Sequence, residues 1–384
     1  MILVYADIDL NLIDGSAVWL ASLTEMLSLD SNIHVHVLLK APLTETRLVR
    51  EIINKQNIAF IDPWAMNDNF PIRRSLSQLN GSHLNTEIAA SIISIISRDL
   101  NPNKIIIRGK DLLYRLSGDP EISNKMIAYI TNPPSFANFS DLQRLISIHQ
   151  NSALTLLQTN RALKSFSKLL KGNIDRSKID ILNPMVPDGN FKVPITRNRI
   201  SNSLGYSGKF SPPYMIEEML NAFSVIFKHK KSASFHVVGD KIHNNPYVDG
   251  FEERVKENLH SQPGVTWYGG VSREKANELM SRVTVASGWR DASFDDTVEI
   301  STKILEYAAL GTPVLMRPAP VQIDVFGGEM PTWVKSEIEF IQKFNQLNDD
   351  YEYYTKTAEL MREAVREYSM SSTISRLRKY FVKE

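Results

Sequence analysis

Residues 297–315 read TVEISTKILEYAALGTPVL, and this stretch decides how the second half of the chain is interpreted. We predict a helix over 301–310. Gly311 ends this helix because glycine readily adopts the left-handed conformation of a helix C-cap. Pro313 then opens a strand over 313–316. A helix that turns sharply into a buried strand is the repeating unit of an α/β fold.

The same alternation of short β-branched runs and helix-length segments continues outward along the chain. In the first half it predicts strands at 2–6, 34–39, 58–61, 104–108 and 125–130, and helices at 16–29, 44–56 and 86–100. A second series spans 203–316, and the tail 336–384 is mostly helical. Strand–helix alternation predicts parallel sheets covered on both faces, which bind ligands at the carboxyl ends of their strands.

The alternation pauses over 183–203, where Pro184, Pro187, Gly189 and Pro194 indicate a linker. We therefore predict two doubly wound, Rossmann-like domains, 1–190 and 191–370, that face a central cleft. Residues 371–384 are predicted to form a C-terminal helix that is free to cross back to the first domain.

Composition excludes several classes of protein. The 384 residues are 43% apolar and 23% charged, as in globular proteins, which excludes disordered and fibrous classes. The net charge of +1 excludes a strongly basic nucleic-acid binder. The chain has no cysteine, so disulfides and thiolate catalysis are excluded. No cationic leader precedes the first apolar run, and we expect a cytoplasmic protein.

Several well-known motifs are missing. The sequence contains no P-loop, no Gly-x-Gly-x-x-Gly after its first strand and no Gly-x-Ser-x-Gly, which disfavours NTPases, nicotinamide dehydrogenases and α/β hydrolases. His34 and His36 share one strand face, but no third ligand is evident. We predict neither a metal site nor a cofactor.

The start of the helix at 301–310 has the features of a diphosphate site. A helix N-terminus presents free backbone N–H groups and a partial positive charge. Ser301 and Thr302 add hydroxyl groups at this end. Glu306 lies about one turn further on, where its carboxylate could accept hydrogen bonds from both hydroxyls of a ribose.

At this point the sequence resembles a family. Residues 303–314, KILEYAALGTPV, resemble the nucleotide-sugar signature of family 4-like glycosyltransferases with the two-domain GT-B fold. Other matching segments follow the expected order: YSGK at 206–209, FHVVG at 235–239, VTWYG at 265–269, DGS at 14–16 and ILNPMV at 181–186. The resemblance is good over 203–316 and loose before residue 183. It implies that the first domain, 1–190, is the acceptor-side domain and that the second, 191–370, binds the nucleotide-sugar donor.

The resemblance implies a retaining, metal-independent hexosyl transfer from a nucleotide diphosphate donor, with UDP slightly favoured. It implies catalytic roles for Lys209, Glu299 and Asn132, and an acceptor-binding role is assigned to Arg108 at the end of a buried strand. The donor-binding residues that it implies are Gly15, Ser16, Gly208, Lys209, Gly239, Gly269, Ser301, Thr302, Lys303, Ile304 and Glu306.

The chain departs from the family pattern at three places. Val298 stands where the first of two family glutamates is expected, and Glu299, Asp295 or Asp296 could substitute for it. Residues 211–214, SPPY, replace a second lysine, and 131–134, TNPP, replace a histidine. An alternative interpretation of Asp296 and Glu299 is a capping box that starts the helix at Thr297.

Residues 160–178 contain six cations interleaved with leucine and phenylalanine at helical spacing. This pattern indicates either an ordinary surface helix or a peripheral contact with the inner face of the cell membrane.

Three functions stay open. The first is a glycosyltransferase acting on a glycan, lipid-linked or protein acceptor, in bacterial surface polysaccharide or glycoconjugate synthesis. The others are a catalytically inactive GT-B partner subunit and a sugar-nucleotide epimerase.

Overall fold

The computed structural model describes residues 1–65, 83–133, 138–196 and 199–382. These residues form two compact units. Unit 1 contains Met1–Met185, Val298–Ile300 and Met370–Glu384, and unit 2 contains Val186–Thr297 and Ser301–Ser369. Each unit has its own parallel sheet, so the prediction of an α/β architecture with two parallel sheets is confirmed.

Unit 1 is built on a seven-stranded sheet in the order β3-β2-β1-β4-β5-β6-β7. Its strands are β1 (Ile2–Ala6), β2 (Val35–Leu38), β3 (Ile58–Ile61), β4 (Lys104–Arg108), β5 (Met126–Ile130), β6 (Leu154–Leu157) and β7 (Ile179–Ile181). Its helices include α1 (Gly15–Leu27), α2 (Thr86–Leu100), α3 (Lys110–Ser117), α4 (Pro120–Ser123), α5 (Phe139–Asn151) and α6 (Asn160–Leu170). The strand order reverses between β1 and β4, which creates a switch point at their carboxyl ends.

Unit 2 is built on a five-stranded sheet in the order β10-β9-β8-β11-β12. Its strands are β8 (Ile200–Ser207), β9 (Ser234–Val238), β10 (Val265–Trp267), β11 (Val283–Ser287) and β12 (Val314–Leu315). Its helices are α7 (Ile216–His229), α8 (Phe251–Ser261), α9 (Arg273–Arg282), α10 (Thr302–Ala309), α11 (Pro320–Phe326), α12 (Glu337–Asp349) and α13 (Tyr351–Ala364). Here the order reverses between β8 and β11.

The last helix, α14 (Met370–Phe381), belongs to unit 1. Its buried side chains Leu377 and Phe381 join the hydrophobic core that also contains Leu20 and Leu27 of α1. Burial of each such side chain contributes about 1.5–3 kcal/mol to folding. The C-terminal segment is therefore an integral part of the first sheet's core.

The predicted helix at 44–56 is wrong, because this segment forms a series of turns. The amide oxygen of Asn11 accepts hydrogen bonds from the backbone N–H groups of Thr44 (2.7 Å) and Glu45 (2.8 Å). Within the segment, Val49 N–H donates to the carbonyl oxygen of Thr46, a turn-type bond rather than an α-helical one. A side chain distant in the sequence thus takes two N–H groups at the expected start of the helix.

None of the helices in the described ranges combines the length and the apolar character needed to cross a membrane.

His149 fixes the loop that follows α6. Its Nε2 accepts a hydrogen bond from the backbone N–H of Asp175 (2.9 Å), so Nδ1 holds the proton and donates to Thr155 Oγ1 (2.9 Å). Burial lowers the pKa of His149, and the nearby Lys178 lowers it further. The folded protein therefore keeps this imidazole neutral at a pH where the unfolded chain protonates it.

We expect the free energy of unfolding to fall as the pH drops below about 6.5, the pKa of an unperturbed histidine. In that range the unfolded chain binds the proton that His149 refuses in the folded state, so acid favours unfolding. Thermal unfolding of the wild type and His149→Gln between pH 7.5 and 5 tests this. The variant should lose less stability over this range, and equal losses would contradict the assignment. His36 and His236, whose pKa values burial also lowers, account for a residual drop shared by both proteins.

Candidate functional site

Three neighbouring strands of unit 2 end in the glycines predicted from the sequence. Gly208 follows β8, Gly239 follows β9, and Gly269 lies beyond β10. Gly208 N–H donates to the carbonyl of Val238 (2.9 Å), and Gly239 N–H donates to the carbonyl of Gly269 (2.8 Å). A Cβ atom on Gly239 would overlap the backbone oxygen of Gly208. The structure therefore brings the three glycines together, and the close backbone approach requires glycine at 239.

Helix α10 is held against the end of β8 by Tyr307. The buried Tyr307 hydroxyl accepts a hydrogen bond from Ser207 N–H (2.7 Å) and donates one to the Ser207 carbonyl (3.0 Å). At the other end of the helix, the buried Arg199 guanidinium donates to the carbonyls of Leu310 (2.8 Å) and Gly311 (2.9 Å). Gly311 has a φ of +67°, so its predicted role as the terminator of the helix is confirmed.

Helix α10 begins at Thr302, one residue after the predicted start, with Ser301 as its N-cap, so the interpretation of Asp296 and Glu299 as a capping box at Thr297 is wrong. In the described chain, the amide N–H groups of Thr302 and Lys303 have no hydrogen-bond acceptor. The Ser301 hydroxyl accepts a hydrogen bond from Arg290 (3.0 Å). The first turn therefore keeps its positive end available to an anion.

Three cations surround the ring of Tyr214 beside this helix end. Lys209 Nζ, Arg290 Cζ and Lys303 Nζ lie 5.1, 4.9 and 4.9 Å from its centroid. None of the three forms an ion pair with a carboxylate among the described residues. We call Lys209, Arg290, Lys303 and Tyr214 the cation cluster. Because Lys209 follows β8 and Arg290 follows β11, the cluster lies at the switch point of the sheet of unit 2.

The acidic residues near Arg290 in the sequence have other partners. Asp291 accepts a hydrogen bond from the backbone N–H of Ser293 (2.8 Å). Asp295 forms a bidentate pair with Arg317, with distances of 2.7 and 2.8 Å. Arg317 thereby lowers the pKa of Asp295. The described hydrogen bonds of these two carboxylates hold the loop and do not involve the cation cluster. The positive charge of the cluster can therefore attract an anionic ligand.

Lys303 lies at the centre of the cluster. Its Nζ donates to the Tyr206 hydroxyl (3.1 Å), which in turn donates to the Lys209 carbonyl (2.6 Å). Burial of the ammonium lowers the pKa of Lys303 well below its usual value, and the charges of Arg290 and Lys209 add to this effect. A bound anion would reverse the shift, because an opposite charge stabilises the protonated form.

Two of the residues predicted to bind the donor, Glu306 and Ile304, make their described contacts outside the cation cluster. Glu306, predicted to bind a ribose, is paired with Arg273, whose Nε (2.8 Å) and Nη2 (2.6 Å) both donate to Oε1. The two side chains are only 11% and 13% exposed. The side chain of Ile304 is buried beside Gly288 in the core of unit 2. The ribose-binding role of Glu306 stays a prediction.

Unit 1 brings together three other predicted residues. Arg108 Nη2 donates to Ser16 Oγ (3.0 Å), and its guanidinium lies 4.9 Å from the Trp19 ring centroid. Burial lowers the pKa of Arg108, while the Glu299 and Asp14 carboxylates act in the opposite direction. Arg108, Ser16 and Glu299 therefore form a group at the carboxyl end of β4.

The other predicted site residues of unit 1, Gly15 and Asn132, form no described hydrogen bond with the side chains of Arg108, Ser16 or Glu299. Gly15 is the first residue of α1, and a Cβ atom on it would meet nothing within 4 Å. Asn132 lies in an exposed loop after β5, and no described residue forms a hydrogen bond with its side chain. Pro134, part of the segment that replaces the family histidine, lies outside the described residues.

Sequence reasoning missed Arg290, Tyr214 and Arg273. The segment 211–214 was interpreted only as the loss of a lysine, whereas Tyr214 contributes the ring around which the cations gather. Arg290 lies three residues after the end of the buried strand β11, and this position was the available signal. Arg273 begins the helix after β10, which gave no comparable signal.

No protein-family model matches the sequence, and no curated protein sequence matches it. Solved structures do resemble it. Anabaena HepE in complex with UDP-glucose is 12% identical with a TM-score of 0.66, covering 99% of this chain and 98% of that one. A glycosyltransferase from Rickettsia africae is 15% identical with a TM-score of 0.67, covering 99% and 97%. Sucrose-phosphate synthase from Thermosynechococcus elongatus is 12% identical with a TM-score of 0.68, covering 98% and 97%.

This likeness over nearly the whole chain shows that the protein has the GT-B fold, as predicted. The narrower family 4 assignment stays a prediction.

The glycines at the strand ends of unit 2 differ in their tolerance of a side chain. Gly239→Ala should cost roughly 3 kcal/mol of stability or more, since its φ is +140° and the added Cβ collides with rigid backbone. Gly208→Ala should cost about 1–2 kcal/mol, because its φ of +151° is also strained but its Cβ meets the mobile end of Lys303. Denaturant unfolding of both variants measures the difference. Equal losses would show that the close approach at 239 is unimportant.

Proposed function

We propose that this chain is a glycosyltransferase that moves a sugar from a nucleoside diphosphate donor to an acceptor hydroxyl. The observation that supports this is the cation cluster at the N-terminus of α10. Three cations without a carboxylate partner, together with free helix amides, match the charge of a diphosphate. A GT-B structure solved with UDP-glucose, HepE, is consistent with such a donor.

In the proposed reaction, the acceptor oxygen attacks the anomeric carbon from the face that the diphosphate leaves, so the configuration is retained. The bond from the anomeric carbon to the phosphate oxygen breaks as the bond to the acceptor oxygen forms. The leaving diphosphate takes the acceptor proton. Lys209, Arg290 and the amides of α10 stabilise its developing charge, a role for which no metal or cofactor is required.

The other assigned roles are proposals of the same kind. Glu306 binds the ribose of the donor, for which UDP is slightly favoured. Glu299 and Asn132 act with Lys209 in catalysis, Gly15 and Ser16 contact the donor, and Arg108 contacts the acceptor. The acceptor is a glycan, a lipid-linked sugar or a protein, in bacterial surface polysaccharide or glycoconjugate synthesis in the cytoplasm.

A second candidate is a GT-B partner subunit without catalytic activity of its own. One observation favours it. Val298, at the position of the first family glutamate, packs against the apolar cluster that contains Phe166 and Leu170, and its carbonyl accepts a hydrogen bond from Thr159 (2.7 Å). The half-buried side chain at this position thus packs against the core of unit 1.

A thermal-shift panel of UDP, GDP, ADP, CMP and dTDP tests the first candidate. We expect a diphosphate to raise the melting temperature, because a ligand that binds only the folded state stabilises it. Arg290→Ala and Lys209→Ala should each weaken binding by about 10- to 100-fold, equivalent to about 1.5–3 kcal/mol for a charged hydrogen bond.

Lys228→Ala is the matched control for these variants, since it removes one exposed positive charge from unit 2 outside the cluster. It should bind the nucleotide as the wild type does. If no nucleotide stabilises the protein, the transferase proposal fails and the partner subunit is favoured. Nucleotide binding together with release of free UDP from a UDP-sugar would exclude the partner subunit.

We also propose that residues 160–178 contact the anionic face of a membrane peripherally. Lys164 and Lys168 lie on the exposed side of α6, and the exposed Lys171 is its C-cap, whereas Phe166 and Leu170 are buried on the opposite side. Arg176 adds a further exposed cation on the next turn. Among the described residues, these four cations form no ion pair, so their charge is available to anionic lipid.

Lys168→Glu combined with Lys171→Glu should weaken binding to phosphatidylglycerol vesicles at least tenfold, because each surface cation contributes about 1 kcal/mol. Co-sedimentation measures this, and pure phosphatidylcholine vesicles should bind neither protein. A control pair, Lys228→Glu with Lys335→Glu, changes the net charge equally at exposed positions of unit 2. Equal weakening by the control pair would refute a localised contact.

A further inference from the structure

A cavity of about 480 Å³ opens beside α6 in unit 1. Its walls are formed by Asn160, Leu163, Lys164, Ser167 and Arg176. The first four recur at helical spacing and therefore share one face of α6. Arg176 faces them from the turn at Arg176–Lys178, so the cavity combines two cations, two small polar groups and one apolar wall. Its volume lies within the range of small-molecule sites.

The two acidic residues near this cavity form their described hydrogen bonds with groups other than the cations that line it. Asp175 accepts hydrogen bonds from the backbone N–H (2.9 Å) and hydroxyl (2.7 Å) of Ser177. Asp180 accepts from Arg376 (3.2 Å) and from the Tyr380 hydroxyl (2.8 Å). Both carboxylates thus hold the local backbone or α14.

The loop that presents Arg176 is held in place before any ligand arrives. His149 Nε2 accepts the Asp175 N–H, one residue before Arg176. Lys178 Nζ donates to the carbonyl of Gln150 at the end of α5 (3.1 Å). Anchors on both sides of Arg176 reduce the entropy that binding would otherwise cost.

We propose that this cavity binds a phosphate ester, with Lys164 and Arg176 contacting the phosphate and Leu163 contacting the organic group. Two cations on opposite walls match the charge of a phosphate, and a guanidinium can donate two parallel hydrogen bonds to it. The half-buried Leu163 side chain favours an organic phosphate over inorganic phosphate. The site is distinct from the proposed nucleotide site, because none of the residues that line the cavity is assigned to the donor.

Titrations followed by amide resonances of α6 test this proposal with inorganic phosphate, glycerol 3-phosphate and dihexanoyl-phosphatidylglycerol below its micelle concentration. We expect both esters to bind more tightly than inorganic phosphate. Lys164→Ala and Arg176→Ala should each weaken ester binding about tenfold. Lys168→Ala is the matched control, because it removes an exposed cation of the same helix that does not line the cavity.

Tighter binding of glycerol 3-phosphate would support a soluble phosphorylated ligand, and tighter binding of the short-chain lipid would support a headgroup. Absence of any ester-induced shift in α6 would overturn the proposal. Equal weakening by Lys168→Ala would also overturn it, since the attraction would then be diffuse. Nucleotide stabilisation should be unchanged in Lys164→Ala, so failure of this site is distinguishable from failure of the transferase proposal.

Discussion

The two hydrogen bonds between the Tyr307 hydroxyl and the backbone of Ser207 set the geometry on which the candidate site depends. They attach α10 to the end of β8, so the positive end of the helix lies beside the glycine turn at 208. Arg199 supports this arrangement by donating to the carbonyls at the other end of α10. The helix is thus held at both ends by buried side chains, and its first turn is left free for a ligand.

The two units use positive charge differently at their switch points. In unit 1, burial lowers the pKa of Arg108, the Glu299 and Asp14 carboxylates act in the opposite direction, and its guanidinium donates to Ser16. In unit 2, the cation cluster has no carboxylate partner among the described residues. The two switch points therefore differ in the acidic groups that lie near their cations.

Local sequence patterns correctly predicted the helices and strands whose bounds are marked by residues within or next to them. The strands at 2–6 and 104–108 were predicted with their observed bounds, and α10 within one residue at each end, because buried apolar runs and Gly311 mark them. The turns at 44–56 were not predictable, since Asn11 reaches them from another part of the chain. The cluster was half predictable: Lys209 and Lys303 lie in motifs, whereas Arg290 reaches Tyr214 only because β11 pairs with β8.

The cation cluster also bears on the choice between an enzyme and an inactive partner. Although residues 211–214 lack the family lysine, Arg290 and Lys303 place basic groups beside Tyr214. Burial lowers the pKa of Lys303, and the neighbouring charges of Arg290 and Lys209 lower it further, so holding these groups together without a counterion reduces the stability of the folded protein. A bound anion would offset this loss. The interpretation as an inactive partner therefore rests on Val298 and on the segment at 131–134, whereas the ligand-binding interpretation explains why three basic groups lie together.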